Sequence, residues 1–400
     1  MLTLGRILFG GGLLLGFVGL FLSLWIVVPA PNFALLRLAV GAPEASPWLF
    51  GLNTIAILLL LFSHRKGGLY SLALACSVAA LALSAYPLSQ FPAANREVNG
   101  IMYRSLGLDY RSKIPAALDT KLRPQPLVLS DVFRGIPMGE VRVQTDIIFA
   151  GPDGVPLSLA VYQPNETGKH PTIVTIYGGG WQSGKPTQDE FFNRYMAAQG
   201  YTVVAIDYRH APQFRFPAQL DDVKTALAYI RTNADRLEAD INRLVLMGRS
   251  AGAHLAMLAA YPPGSPAVRA VVNYYGPVDL TVGYNDSPQP DPLDTRALLR
   301  SLLGGTPAEV PDLYRAASPA TYVRGNLPPS LLVYAGRDHV VQAKFGRDLR
   351  DRLTATGSQV VYIELPWSEH AFDAVFNGVG NQLALYYTER FIAWAVSDRA

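Results

Sequence analysis

Four hundred residues, half of them hydrophobic and only 16% charged, with a mean hydropathy of +0.18, exclude a disordered or fibrous chain and demand large buried apolar surfaces. The formal charge of +3 is confined to residues 1–86, which hold Arg6, Arg37, Arg65 and Lys66 against Glu44. The remainder is balanced and has no Lys/Arg tract, so it lacks the electrostatic footprint of a nucleic-acid binder. A single cysteine, Cys76, rules out an intrachain disulfide and a structural zinc site built on paired cysteines.

Residues 7–28 are uncharged and reach the ~20 residues that a helix needs to cross ~30 Å of hydrocarbon. The run exceeds the ~7–15 apolar residues of a cleavable signal and leaves through Pro29-Ala30-Pro31, so it reads as a retained span. Two more apolar runs, 47–63 and 69–87, flank His64-Arg65-Lys66-Gly67-Gly68, a polar break suited to a turn between antiparallel helices. The first of these is near the lower length limit, with a buried or re-entrant helix as its alternative. Residues 33–40 are too short to span and are expected at the interface. Arg6, Arg65 and Lys66 outweigh Arg37, which orients the N-terminus and the loop at residue 65 toward the cytoplasm. Three spans then carry everything after residue 88 to the extracytoplasmic side, the periplasm in a bacterial host. Gly12 and Gly16 form a GxxxG spacing, common by chance in glycine-rich spans.

The predicted organisation is a membrane segment of about three helices over 1–87, a connector or cap over 88–140, and an α/β domain over 141–400. In the last, apolar runs of strand length at 141–149, 157–163, 172–177, 202–207, 244–248, 270–276, 330–336 and 360–365 alternate with helical patterns. Gly151-Pro152-Asp153-Gly154 suits an antiparallel hairpin between the first two. The later runs are nearly continuous Val, Ile and Leu and are separated by helix-length segments, as in buried parallel strands. Helical periods at 187–199, 217–233, 251–261, 341–355 and 381–396 complete a doubly wound, mostly parallel eight-stranded sheet.

Gly248-Arg249-Ser250-Ala251-Gly252 falls between a strand and a helix. A G-x-S-x-G there lifts a hydroxyl above the sheet on a sharp turn that only small flanking residues allow, which makes Ser250 the candidate nucleophile. Upstream, Tyr177-Gly178-Gly179-Gly180-Trp181 follows another strand, and successive glycines free backbone N–H groups to face a cleft. Residues 179–185 also fit the first positions of a phosphate-binding loop, but Pro186 stands where that loop needs a hydroxyl. A nucleophilic serine needs a base and an acid to orient it. His370 follows the last strand and Asp338 follows the one before, with Glu369 and Asp373 as rival acids. His254, one helical turn beyond Ser250, reads as packed or hydrogen-bonded. His210 borders the expected pocket, and His64, His170 and His339 read as structural. Trp181, Tyr208 and Phe214, with the insertion 277–325, are candidate substrate-binding walls.

The order Ser250, Asp338, His370 and the stretches YGGGWQSG (177–184), DYRHAP (207–212), GRSAGAHLA (248–256) and ASPATYV (317–323) resemble the α/β-hydrolase superfamily. More narrowly, residues 141–398 are similar to bacterial carboxylesterases of the hormone-sensitive-lipase and BD-FAE-like kind. The resemblance implies a serine carboxylesterase or lipase-like enzyme without metal or organic cofactor, acting on a small-molecule or lipid ester. By position in its motifs it implies Gly178, Gly179 and Ala251 as oxyanion donors. Tyr177 departs from it, standing where a histidine usually opens the glycine run, and so does Arg249, where an acidic or small residue is commoner. An acyltransferase or amidase of the same fold, acting on a lipid or envelope glycan, is the alternative outcome.

Overall fold

The computed structural model describes residues 2–397. Four helices lead: α1 (Leu2–Leu24), α2 (Phe33–Glu44), α3 (Ser46–Phe62) and α4 (Gly68–Leu106). Two of them, α1 and α4, are long and apolar enough to cross a membrane, and α2 with α3, bent by 81° at their junction, would make a third span. α1, α3 and α4 pack into a bundle with an inverted composition. Its interior holds Ser23, Asn53, Ser77 and Ser84, all fully buried, while Leu14, Phe21, Leu58, Phe62 and Leu72 face outward. The Asn53 amide donates to Ser23 Oγ at 3.1 Å and Ser84 Oγ at 3.3 Å, tying the three helices together. Gly16 packs so closely on α4 that a Cβ there would overlap Ser77 Oγ, and one at Gly12 would lie 3.0 Å from the Leu60 backbone nitrogen. The GxxxG pair therefore does the close helix packing that such spacing permits.

α4 runs straight through the boundary expected at residue 87, with Pro87 and Pro92 inside it, and its second half packs on the sheet edge. The short helices α5 (Ala116–Asp119) and α6 (Leu129–Arg134) follow. Residues 107–140 form no cap. They are anchored on the C-terminal helix through buried Arg123, whose guanidinium reaches Asp131 at 3.0 Å and Gln382 at 2.9 Å and whose N–H reaches Glu389 at 2.7 Å.

The α/β part comprises β1 (Arg142–Ala150), β2 (Leu157–Gln163), β3 (His170–Ile176), α7 (Glu190–Ala198), β4 (Thr202–Ile206), α8 (Ala218–Thr232), β5 (Ala239–Arg249), α9 (Ala251–Ala260), β6 (Ala270–Tyr274), α10 (Leu280–Asn285), α11 (Thr295–Leu303), α12 (Pro311–Ala316), β7 (Ser330–Ala335), α13 (Ala343–Ala355), β8 (Val360–Leu365) and α14 (Val379–Ala395). The strands lie in the order β1-β2-β4-β3-β5-β6-β7-β8, antiparallel at β1–β2 and β2–β4 and parallel elsewhere. Adjacent residues of β6 identify the layers, because successive strand side chains point to opposite faces. Asn273 reaches Met257 of α9, whereas the Tyr274 hydroxyl pairs with Thr388 of α14 at 2.7 Å. Helices thus cover both faces. The core is continuous with the N-terminal segment, since Ala30, Leu36, Ala39 and Val40 pack into the same apolar cluster as the central strands.

Candidate active site

The turn from β5 into α9 places Ser250 at φ 50, ψ −119, a conformation that an L residue holds only when its surroundings impose it. Two close approaches impose it. A Cβ at Gly248 would overlap the Gly252 carbonyl, and one at Gly252 would overlap the carbonyls at the end of β3. Ser250 N–H is fixed by the Tyr274 carbonyl at 2.9 Å. The hydroxyl then stands 3.0 Å from His370 Nε2, to which it donates, and His370 Nδ1–H donates to Asp338 Oδ2 at 2.8 Å. Asp338 is itself held from the other side, its Oδ1 accepting the Val340 and Val341 N–H groups at 2.8 and 2.7 Å. Burial lowers the affinity of the His370 imidazole for a proton, but the Asp338 charge and hydrogen bond outweigh it and leave the ring raised above its ordinary 6.5.

Both rival acids are occupied elsewhere. Glu369 accepts from His339 Nδ1 at 2.6 Å and from the His339 and His370 N–H groups. Asp373 accepts from Arg249 Nε and the Tyr275 hydroxyl. Arg249 also faces Asp189 at 3.4 Å, and its guanidinium lies over the Phe192 ring, 4.7 Å from the centroid. This buried cation sits beside the nucleophile, and burial pushes the neighbouring Asp189 up to about 6. The site value of Arg249 was not legible beforehand, because its partners come from positions 189 and 373.

Gly178 and Gly179 line the cleft, and a Cβ at Gly178 would approach Ser250 Cβ to 3.2 Å. Ala251 opens α9, where helix N–H groups carry no intrahelical partner. The Tyr177 ring stacks on Tyr208 with centroids 4.5 Å apart. Its hydroxyl donates to Asp207 at 2.5 Å and accepts from His210 Nε2 at 2.9 Å, which is how the glycine loop is held without the histidine. Trp181 is fastened by His254, whose Nδ1 accepts the indole N–H at 3.2 Å while Nε2–H donates to the Ala317 carbonyl at 2.7 Å. Burial pushes His254 down to about 4, so the ring is neutral at ordinary pH.

A cavity of about 800 Å³ opens onto Ser250 and His370. Of the expected walls, the 277–325 insertion lines it and the three aromatics do not. Tyr208 is buried behind Tyr177, and Phe214 lies under the Arg209 guanidinium; neither lines it, and nor does any residue of 88–140. Trp181 instead borders a second, cramped cavity of about 60 Å³ that also reaches Ser250, with Val340, Val341 and Phe345. The large cavity is walled by Phe192, Phe191 and Phe376, by Leu293 and Leu298 of the 277–325 insertion, and along one side by Phe33, Leu36, Arg37, Val40 and Gly41 of α2. Among the described residues no group of three or more His, Cys, Asp or Glu side chains is arranged to hold a metal ion.

Comparison with known proteins agrees with this architecture. The BD-FAE family model matches residues 159–353. A solved esterase 2 of Thermogutta terrifontis, phosphonylated by sarin, superposes with a TM-score of 0.52 at 25% identity, covering 64% of this chain and 94% of its own. The chain has the α/β-hydrolase fold. Outside the solved structures, the α/β-hydrolase region is similar to esterase LipC of Mycobacterium tuberculosis, 35% identical over 51% of this chain and 53% of LipC. Esterase LipQ of the same organism is 32% identical over 66% of this chain and 63% of LipQ. The match therefore spans about half to just under two thirds of those relatives' length.

Proposed function

We propose that the protein is a membrane-anchored serine carboxylesterase. The observation that carries this reading is the relay of hydrogen bonds from Ser250 through His370 to Asp338 beside a glycine loop; the esterase relatives support it. In the reaction, Ser250 Oγ attacks the ester carbonyl carbon while His370 Nε2 takes the hydroxyl proton. The N–H groups of Gly178, Gly179 and Ala251 receive the oxyanion, each such donor contributing about 3 kcal/mol in the transition state. The C–O bond breaks as His370 returns the proton to the departing alcohol. Water then attacks the acyl-enzyme with His370 again as base, releasing the acid and restoring the serine. Asp338 holds the imidazole tautomer and stabilises its charged form. Substitution Ser250→Ala is expected to lower p-nitrophenyl acetate hydrolysis about 10³-fold or more and to abolish labelling by a fluorophosphonate. Undiminished hydrolysis sinks the serine mechanism.

The anchoring rests on the bundle. Trp25, Trp48 and Tyr86 mark one level of α1, α3 and α4, while Arg6, His64 and Tyr70 mark the other. At 1.5 Å per residue these levels are about 24–28 Å apart, close to a hydrocarbon thickness. The basic end, Arg6, Arg65 and Lys66, is distal to the catalytic domain, which favours that end in the cytoplasm and catalysis outside. Protease added to intact spheroplasts is expected to digest the catalytic domain; resistance until lysis contradicts this sidedness.

A further inference from the structure

Resting on that esterase reading, we infer that the substrate is a bilayer-resident lipid ester with one long and one short limb, admitted to Ser250 sideways along α2. Four observations converge. α2 turns away from α3 by 81°, so a spanning α3 lays α2 along the membrane surface. That same helix forms one wall of the 800 Å³ cavity that ends at Ser250, so the cavity and the membrane surface share an element. On the α2 side its rim carries exposed aromatics, Phe33 at 56% and Phe191 at 61%, with Phe191 stacked on Phe376 inside, while Gln182, Ser183 and Gln188 are exposed polar residues of the lining. An exposed shelf of Trp48, Leu129, Phe133 and Met138 continues at the level where the bundle meets the catalytic domain, Trp48 touching Phe133 at 4.7 Å. Exposed aromatic and aliphatic side chains rimmed by arginine, here Arg37 and Arg134, are what a membrane–water interface selects.

The second cavity limits the other limb. It adjoins the large cavity at Ser250, Gly180, Leu293 and Leu298, is otherwise lined by Trp181, Val340, Val341 and Phe345, and holds about 60 Å³. That is less than a tenth of the large cavity's 800 Å³, room for a short limb only. Only one side of the ester bond can therefore be long.

The test uses the full-length protein in phosphatidylcholine nanodiscs with four esters: ethyl acetate, hexadecyl acetate, ethyl palmitate and hexadecyl palmitate. One of the two single-long-limb esters is expected to exceed both ethyl acetate and hexadecyl palmitate in kcat/KM by about tenfold or more. Which of the two wins assigns the long limb to the alcohol or acyl side. Phe33→Asp is expected to lower the ratio of that ester's turnover to ethyl acetate turnover about fivefold. Equal or better use of ethyl acetate, equal use of hexadecyl palmitate, or an unchanged ratio in the Phe33 variant overturns the proposal. Failure to turn over any of the four by protein whose Ser250 still takes a fluorophosphonate overturns the substrate assignment alone. Loss of that label overturns the esterase reading beneath it.

Discussion

At the residue scale the relay makes a signed prediction about pH. The proposed mechanism needs a neutral His370, and Asp338 raises that ring above 6.5, so activity is expected to be lost as pH falls through a value higher than that of free histidine. Asp338→Asn removes the raising charge. It is expected to cut kcat about 10⁴-fold and to move the acid limb of kcat/KM to lower pH, read from a pH–rate profile. His254 is already neutral across this range and adds no second inflection. That Ser250, Asp338 and His370 come within hydrogen-bond reach was legible because each lies just after its own strand, so strand period and chain order place all three at one end of the sheet. That Tyr208 and Phe214 stand back from the cavity was not legible, because an aromatic near a motif does not disclose what covers it. Tyr208 is roofed by Tyr177 and Phe214 by Arg209, contacts made across 31 and 5 positions of chain.

At the element scale the junction of α2 with α14 is the device that joins the N-terminal helices to the site. Glu44, the only acid in the first 86 residues, ends α2 fully buried and accepts the Gly380 and Asn381 N–H groups at 2.7 and 3.1 Å. A carboxylate facing the first turn of a helix satisfies orphan donors and meets the positive end of the helix dipole. Its other oxygen accepts Ser368 Oγ at 2.6 Å, two residues before His370, so the same side chain steadies the histidine loop. Glu44→Ala is expected to destabilise the protein by about 2 kcal/mol and to reduce kcat, with Glu44→Gln intermediate, in thermal unfolding and turnover measurements in detergent. The eight strands were legible to within a few residues, because period-two and continuous β-branched runs are local signals. The end of the long apolar helix α4 was not. Pro87 reads as a stop, yet α4 carries it and Pro92 inside one helix to Leu106.

At the scale of the whole molecule the N-terminal helices and the α/β part do not separate at residue 88. Ala30, Leu36, Ala39 and Val40 share the core of the sheet and its helices, Arg337 donates to the Val27 carbonyl, and the first half of α4 is continuous with the half that packs on β8. Such cross-chain burial leaves no mark on local hydrophobic period, since a run that packs against lipid and one that packs against a distant strand look alike. Residues 88–400 alone would expose the apolar surface that α2 covers, leave two N–H groups of α14 without Glu44, and open the cavity along one wall. That fragment is expected to unfold at a temperature lower by about 10 °C or more than the full chain and to bind a hydrophobic dye before unfolding, in matched detergent. Equal stability would mean that α2 merely rests on the surface, and its place in the cavity wall would then be dispensable to the fold. A lowered midpoint with Ser250 still reactive toward a fluorophosphonate would instead separate the two jobs of the N-terminal segment, since the relay is built entirely from residues after 249 and the cavity wall is not.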